Sequence, residues 1–266
     1  GLSILLLLMA YTWVAYRVYQ LVLRKGEPTM QLLQEIYQTQ TVRDSQGNEI
    51  NPFPTSTAYD LGTTLQEFIQ KNHLERTLEI GMAYGLSTLF FCQAHHERGR
   101  GSHIAIDPMQ HSEWKSIGVL NVQRAGYADK FRFFEACADE VLPQLIAQGE
   151  KIDFAFIDGS HLFDYVLVDF FLVDKLLEVG GYVVFDDIWM TGIRKVVSFI
   201  LANRDYELVN FDTKASFSKR LQVIIKRFFQ NPFEGNCQGM KYIPSNICVL
   251  KKVSDDRRPW DYHRSF

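Results

Sequence analysis

The sequence predicts an α/β fold in three layers, with a mostly parallel sheet and helices on both of its faces. Two observations carry this expectation. From residue 77 onward, short apolar runs alternate regularly with longer stretches of helical spacing, the pattern of a covered parallel sheet. Glycines and acidic residues collect directly after those runs, at the strand ends where open α/β sheets bind ligands.

Residues 30–37 read as a short helix, and 41–57, with Gly47, Asn48, Asn51, Pro52 and Pro54, as a loop. Helical spacing returns over 61–74. Strands are then expected at 77–80, 103–106, 131–134, 152–157 and 182–185, with helices at 87–96, 114–124, 139–148, 163–177 and 193–203. Two further strands, 206–209 and 247–253, bring the sheet to seven. The 266 residues contain 47% hydrophobic and 22% charged side chains, the values of a globular chain rather than a disordered one. The net charge of −3 gives no basic excess for a nucleic-acid partner. Cys92, Cys137, Cys237 and Cys248 are scattered without a C-x-x-C pair, so buried thiols are expected rather than zinc or disulfides.

The N-terminus differs from the rest. From residue 2 to 23 the only charge is Arg17, and Arg24 and Lys25 follow. A helix of this length rises about 33 Å, enough to cross a hydrocarbon layer. The run is therefore expected to be a single N-terminal membrane anchor, with the downstream basic residues keeping the remainder on the cytoplasmic side. A buried or oligomer-forming helix is the alternative. The stretch 214–229 mixes five basic residues with Phe217, Leu221, Val223, Ile224, Ile225, Phe228 and Phe229. It is open to three readings: a lid, a membrane-surface helix, or a helix packed on the sheet.

The first strand leads into Glu79-Ile80-Gly81-Met82-Ala83-Tyr84-Gly85-Leu86-Ser87. Two glycines four apart permit a tight turn close to a ligand, and the next helix offers free N–H groups. Glu79 is unusual for a phosphate loop and suits a ligand with a cationic group. The second strand ends in Asp107, where a carboxylate can accept bonds from ribose hydroxyls. The pattern is G-x-x-x-G, not the G-x-G-x-x-G of dinucleotide folds. The fourth strand ends at Asp158, followed by Gly159, Ser160 and His161, and the fifth at Asp186 and Asp187. Three carboxylates at neighbouring strand ends call for a compensating cation, and a hard divalent ion such as Mg²⁺ suits oxygen ligands.

Here the chain resembles the class I S-adenosylmethionine-dependent methyltransferases, and within them the metal-dependent O-methyltransferases of the catechol and macrolide-sugar type. The resemblance covers roughly residues 57–210. It implies a three-layer Rossmann-like methyltransferase fold, with S-adenosyl-L-methionine held by Gly81, Tyr84, Gly85, Ser87 and Asp107 and with Glu79 in the cofactor site as support of the loop. It also implies Asp158, Asp186 and Asp187 as ligands of Mg²⁺ or another divalent cation. Asp158 and His161 are the catalytic candidates, His161 as general base. His111 and Trp114 are placed near the adenine, and His95 and His96 on the surface. The implied acceptor is a small molecule, a sugar or glycolipid hydroxyl. A metal-independent methyltransferase, a non-catalytic cofactor-binding module, and the related architecture of cephalosporin-hydroxylase-like proteins are the alternatives. The expected organisation is an apolar helix at 1–26, a helix and loop at 27–56, the methyltransferase domain at 57–253 with an insertion at 210–243, and a tail at 254–266.

Overall fold

A computed structural model describes residues 28–211, 221–222, 224–225, 245–262 and 264–266. Helix α1 (Pro28–Thr39) and a two-stranded ladder, β1 (Val42–Arg43) and β2 (Glu49–Ile50), precede helix α2 (Tyr59–Lys71). Strand β3 (Arg76–Ile80), helix α3 (Leu86–Glu97), strand β4 (Ser102–Ile106) and helix α4 (Ile117–Arg124) follow. Strand β5 (Phe131–Phe134), helix α5 (Ala138–Ala147), strand β6 (Ile152–Ile157) and helix α6 (Phe163–Leu176) continue the alternation. Strand β7 (Leu177–Phe185), helix α7 (Thr191–Asn203), strand β8 (Tyr206–Leu208) and strand β9 (Cys248–Lys252) complete it.

The large sheet has seven strands in the order β5-β4-β3-β6-β7-β9-β8. Pairing is parallel from β5 to β7, and β9 runs antiparallel between β7 and β8. The chain order reverses between β3 and β6, so their ends flank a crevice.

One face of the sheet carries α5, α6 and α7, whose Val141, Leu142, Phe170, Val173, Val196 and Ile200 pack on the strands. The other face carries α3, which is buried over most of its surface. Such a helix needs partners on its far side. Leu33 and Ile36 of α1 supply one, and Leu65 and Ile69 of α2 supply another. Gly62 lets α2 close onto Phe90, since a Cβ there would lie 2.2 Å from the ring's Cδ2.

Strand β7 is longer than expected. It begins at Leu177 with no loop after α6, and pairing with β6 is irregular between Ile152 and Phe154. Gly180 and Gly181 mask this first half in the sequence. At Gly181 the chain passes so close that a Cβ would lie 2.9 Å from the Asp153 carbonyl oxygen.

The proposed anchor at residues 2–23 and most of the insertion lie outside the described residues. Among the described residues no helix is long and apolar enough to cross a membrane. The expectation of a single-helix anchor, and the cytoplasmic-side placement drawn from it, is therefore corrected. Two smaller expectations also change. His95 is fully buried rather than on the surface, and Cys137 is exposed whereas Cys92 and Cys248 are buried.

Candidate active site

The loop after β3 is built on two close approaches. Gly81 has φ +91°, and a Cβ there would lie 2.2 Å from the Asp158 carbonyl oxygen. Gly85, at φ +78°, packs so near Gly118 that a Cβ would lie 2.9 Å from its Cα. Both positions need the left-handed region and the missing side chain. Behind the loop Glu79 is fully buried. It accepts a bond from Ser87 Oγ at 2.6 Å and another from the Thr88 hydroxyl, and lies 3.1 Å from His103 Nε2. Thr77 links His103 Nδ1 at 2.9 Å to His95 Nε2 at 2.8 Å. Burial, then His103, pushes His95 down to about 3, so it is neutral. Glu79 thus braces the loop from inside and does not face a ligand.

Asp107 joins two loops. Its Oδ2 accepts from Met82 N at 3.0 Å and Ala83 N at 2.8 Å, and its Oδ1 accepts from Met109 N at 2.8 Å. These charge-assisted bonds fix the carboxylate at the rim of a cleft of about 760 Å³, within the range of small-molecule sites.

The same cleft is lined by Asp158, His161 and Asp187, with one ligand atom from each within 4.8 Å of the others. His161 Nε2 is 3.1 Å from Asp187 Oδ2. Asp187 Oδ1 accepts from Trp189 Nε1 at 2.7 Å and Asn246 Nδ2 at 2.9 Å. Burial, then the Asp186 and Asp187 charges, pushes Asp158 well above the usual carboxylate range.

Of the expected trio of Asp158, Asp186 and Asp187, the first and last line the cleft and stand with His161. Asp186 does not line the cleft. Its Oδ1 accepts from Asp187 N at 2.7 Å and lies 3.4 Å from Asn246 Nδ2. Asp187 turns through φ +51°, and the Asp186 charge still acts on Asp158, ahead of that of Asp187. Burial and the neighbouring Asp187 charge raise Asp186 to about 7.

Of the remaining candidates, Gly81 and Ser87 line the cleft, whereas Gly85 and Tyr84 do not. Tyr84 packs edge-on against Trp114 at 5.1 Å, and Trp114 lines the cleft. His111 is exposed and does not line it.

Residues 78–188 match the family model described as a methyltransferase domain. That span runs from β3 through Asp107, Asp158, His161 and Asp187. Those residues carry a methyltransferase domain, and the match supports the S-adenosylmethionine-dependent kind. A caffeoyl-CoA O-methyltransferase from Populus kitakamiensis is 28% identical over 150 residues, 53% of this chain and 59% of the relative. A flavonoid 3',5'-methyltransferase from Vitis vinifera is 29% identical over 140 residues, 51% of this chain and 57% of that one. The chain thus spans less than two thirds of the length of these two plant relatives. The O-methyltransferase from Bacillus cereus in complex with SAH has a TM-score of 0.54 at 22% identity, covering 67% of this chain and 82% of its own. TomG from Streptomyces achromogenes, an O-methyltransferase in complex with SAM, has a TM-score of 0.55 at 18% identity, covering 69% and 82%. At these identities the likeness to the two solved structures is one of fold.

Several further residues of the methyltransferase domain line the cleft, among them Asp139, Asp164, Tyr165 and Asp169. Asp139 follows β5 and obeys the same strand-end rule as Asp107. Asp164, Tyr165 and Asp169 line the cleft from α6, and the spacing of four between Tyr165 and Asp169 places those two on one helix face. Asn246 is brought beside Asp187 only by the antiparallel β9, which the sequence order does not announce.

Proposed function

We propose that the methyltransferase domain transfers the methyl group of S-adenosylmethionine to the hydroxyl of a small molecule, with a divalent cation beside that hydroxyl. The observation that carries this is the placement of Asp158, His161 and Asp187 in the same cleft as Gly81, Ser87 and Asp107. The donor fits the half bounded by Gly81 and Asp107, with its methyl directed toward the acid–histidine cluster. The acceptor oxygen attacks the methyl carbon in line, the carbon–sulfur bond breaks, and S-adenosylhomocysteine leaves. Alignment of the two reactants is the main task, because the sulfonium is already activated.

The donor set fits a cation. Two carboxylates converge, and nothing cationic other than His161 lies beside them among the described residues. Asp158 and Asp187 would hold the ion. When bound, it supplies positive charge that lowers the pKa of an adjacent hydroxyl. His161 accepts the hydroxyl proton at Nδ1 while Nε2–H donates to Asp187, which orients the ring as the carboxylate does in a catalytic triad. Trp189 and Asn246 hold Asp187 in turn. The mixed nitrogen and oxygen set also supports a second reading, in which His161 is a third ligand, and such a set suits transition ions as well as Mg²⁺.

Calorimetry with S-adenosylmethionine tests the donor half. The wild-type chain should bind it, and Asp107→Ala should weaken binding at least tenfold; a wild-type chain that binds none removes the proposal. His161→Ala separates the two roles of the imidazole. A fall in rate with unchanged cation affinity marks a base, and a fall in cation affinity marks a ligand.

A further inference from the structure

Arg194 is the largest fully buried side chain among the described residues, at 1% exposure. It follows Ile193 on α7, a helix whose Ile193, Val196, Val197 and Ile200 pack on the sheet. An apolar side chain would fill that space at no electrostatic cost, whereas a buried guanidinium is costly unless its donors are satisfied. Where its donors go is therefore informative. Nη1 donates to the carbonyl oxygens of Ile188 at 2.9 Å and Trp189 at 2.5 Å, and Nη2 donates to Thr191 Oγ1 at 3.1 Å. The backbone N–H of Arg194 donates to Met190 O at 3.1 Å. One residue thus holds three successive carbonyls, 188 to 190, of the turn between β7 and α7.

That turn carries Asp187. Its φ of +51° lies in the left-handed region, which is unfavourable for a residue with a Cβ and persists where the surroundings fix it. Met190 N closes the turn on Asp187 O at 2.8 Å, and Ile188 N donates to Asn246 O at 3.0 Å. The Asp187 carboxylate is held by Trp189 Nε1 and Asn246 Nδ2. Trp189 is itself 45% exposed, so packing does little to fix its indole. Its backbone carbonyl, gripped by Arg194, sets where the ring starts from. We infer that Arg194 is a positioning residue of the cleft: its guanidinium clamps the turn after β7 and, through the Trp189 indole, aims the Asp187 carboxylate inward. Arg194 itself does not line the cleft. The inference rests on the proposed cation site for what Asp187 does once aimed, but not for the clamp.

Two variants of the full chain test it. Arg194→Met keeps most of the volume and removes the donors, and Arg194→Lys keeps the charge but not the planar fork that reaches several acceptors at once. Labelling with ¹⁵N-tryptophan gives four indole signals, and that of Trp189 is identified by its loss in Trp189→Phe. Without any cation, the Trp189 signal should shift in Arg194→Met and shift less in Arg194→Lys. The signal of Trp114, which packs on Tyr84, should stay in place. Calorimetry on the same samples reads Mn²⁺ and S-adenosylhomocysteine separately. Arg194→Met should weaken Mn²⁺ binding about tenfold or more, the loss expected when the support of a metal ligand is removed. Arg194→Lys should fall between it and the wild type, and S-adenosylhomocysteine affinity should stay within about twofold in both. An unshifted Trp189 signal in Arg194→Met overturns the inference. So does unchanged Mn²⁺ affinity, or a parallel loss of Mn²⁺ and S-adenosylhomocysteine, which marks general damage to the domain. If Arg194→Lys alone folds, its Trp189 shift and Mn²⁺ affinity decide. Failure of both variants to fold assigns Arg194 to stability and also overturns the inference. If the wild-type chain binds no Mn²⁺, the cation reading fails, and the Trp189 signal alone decides for or against the clamp.

Discussion

Gly81→Ala probes the point where the cofactor loop and the acid cluster touch. Ile80 O accepts from Asp158 N at 2.9 Å, and Gly81 N donates to Ile106 O at 2.9 Å. These bonds leave the loop after β3 no room to move away from β6. At φ +91° an alanine is strained, and its Cβ would lie 2.2 Å from Asp158 O. The backbone strain costs about 1–2 kcal/mol, and forcing backbone apart in a packed site adds about 1–3 kcal/mol. The sum, about 2–5 kcal/mol, corresponds to a fall in Tm of roughly 5–15 °C for a domain of this size. Gly180→Ala is the matched control, because φ is +90° there and a Cβ meets nothing within 4 Å. It carries the strain alone, about 1–2 kcal/mol. Calorimetric or fluorescence melting of both variants isolates the clash, and binding of S-adenosylmethionine reports its effect on the loop. Equal Tm values for the two variants would refute the close approach of Gly81 to Asp158.

The other expectations follow from single groups. His161→Ala should lower the rate about 10²-fold or more if the ring takes the proton; an unchanged rate in a labelled-methyl assay would demote it to scaffold. Asp187→Ala should abolish cation binding seen by calorimetry, whereas Asp186→Asn should retain it, because Asp187 lines the cleft and Asp186 does not; equal losses would return Asp186 to the ligand set. Asp169 ionises at about 7 in the folded chain against an ordinary 3.8. The unfolded chain therefore binds fewer protons between about pH 4 and 7, and stability falls as pH rises through that window. Asp169→Asn should remove up to about 4 kcal/mol of that slope in denaturant titrations without ligand, and an unchanged slope would contradict the buried, unpaired state of this carboxylate.

The parallel part of the sheet was legible because β3, β4, β6 and their helices obey the apolar rhythm of covered strands. The strand-end rule also picks out Gly81, Asp107, Asp158 and His161, which line one cleft. It did not separate Asp186 from Asp187, because only the backbone turn at Asp187 sets which of the two lines the cleft. Glu79 reads as a support of the loop, but what holds it there was not legible. Its partners, His103 and Thr77, sit on adjacent strands, and only strand register brings them under the loop. Asp169 was hidden on a helix whose other residues read as core, so its lack of a partner is a property of packing alone. Asn246 depended on β9 inserting between β7 and β8, a choice that local periodicity does not encode.

The central claim is tested most directly by incubating the full chain with methyl-labelled S-adenosylmethionine, a divalent cation and a panel of phenols and sugars, with and without EDTA. The account predicts label in a C–O-linked methyl group, one S-adenosylhomocysteine per methyl transferred, and loss of transfer with EDTA. Full transfer in the presence of EDTA would contradict the cation at Asp158 and Asp187, and label reaching no hydroxyl despite cofactor binding would contradict the reaction itself.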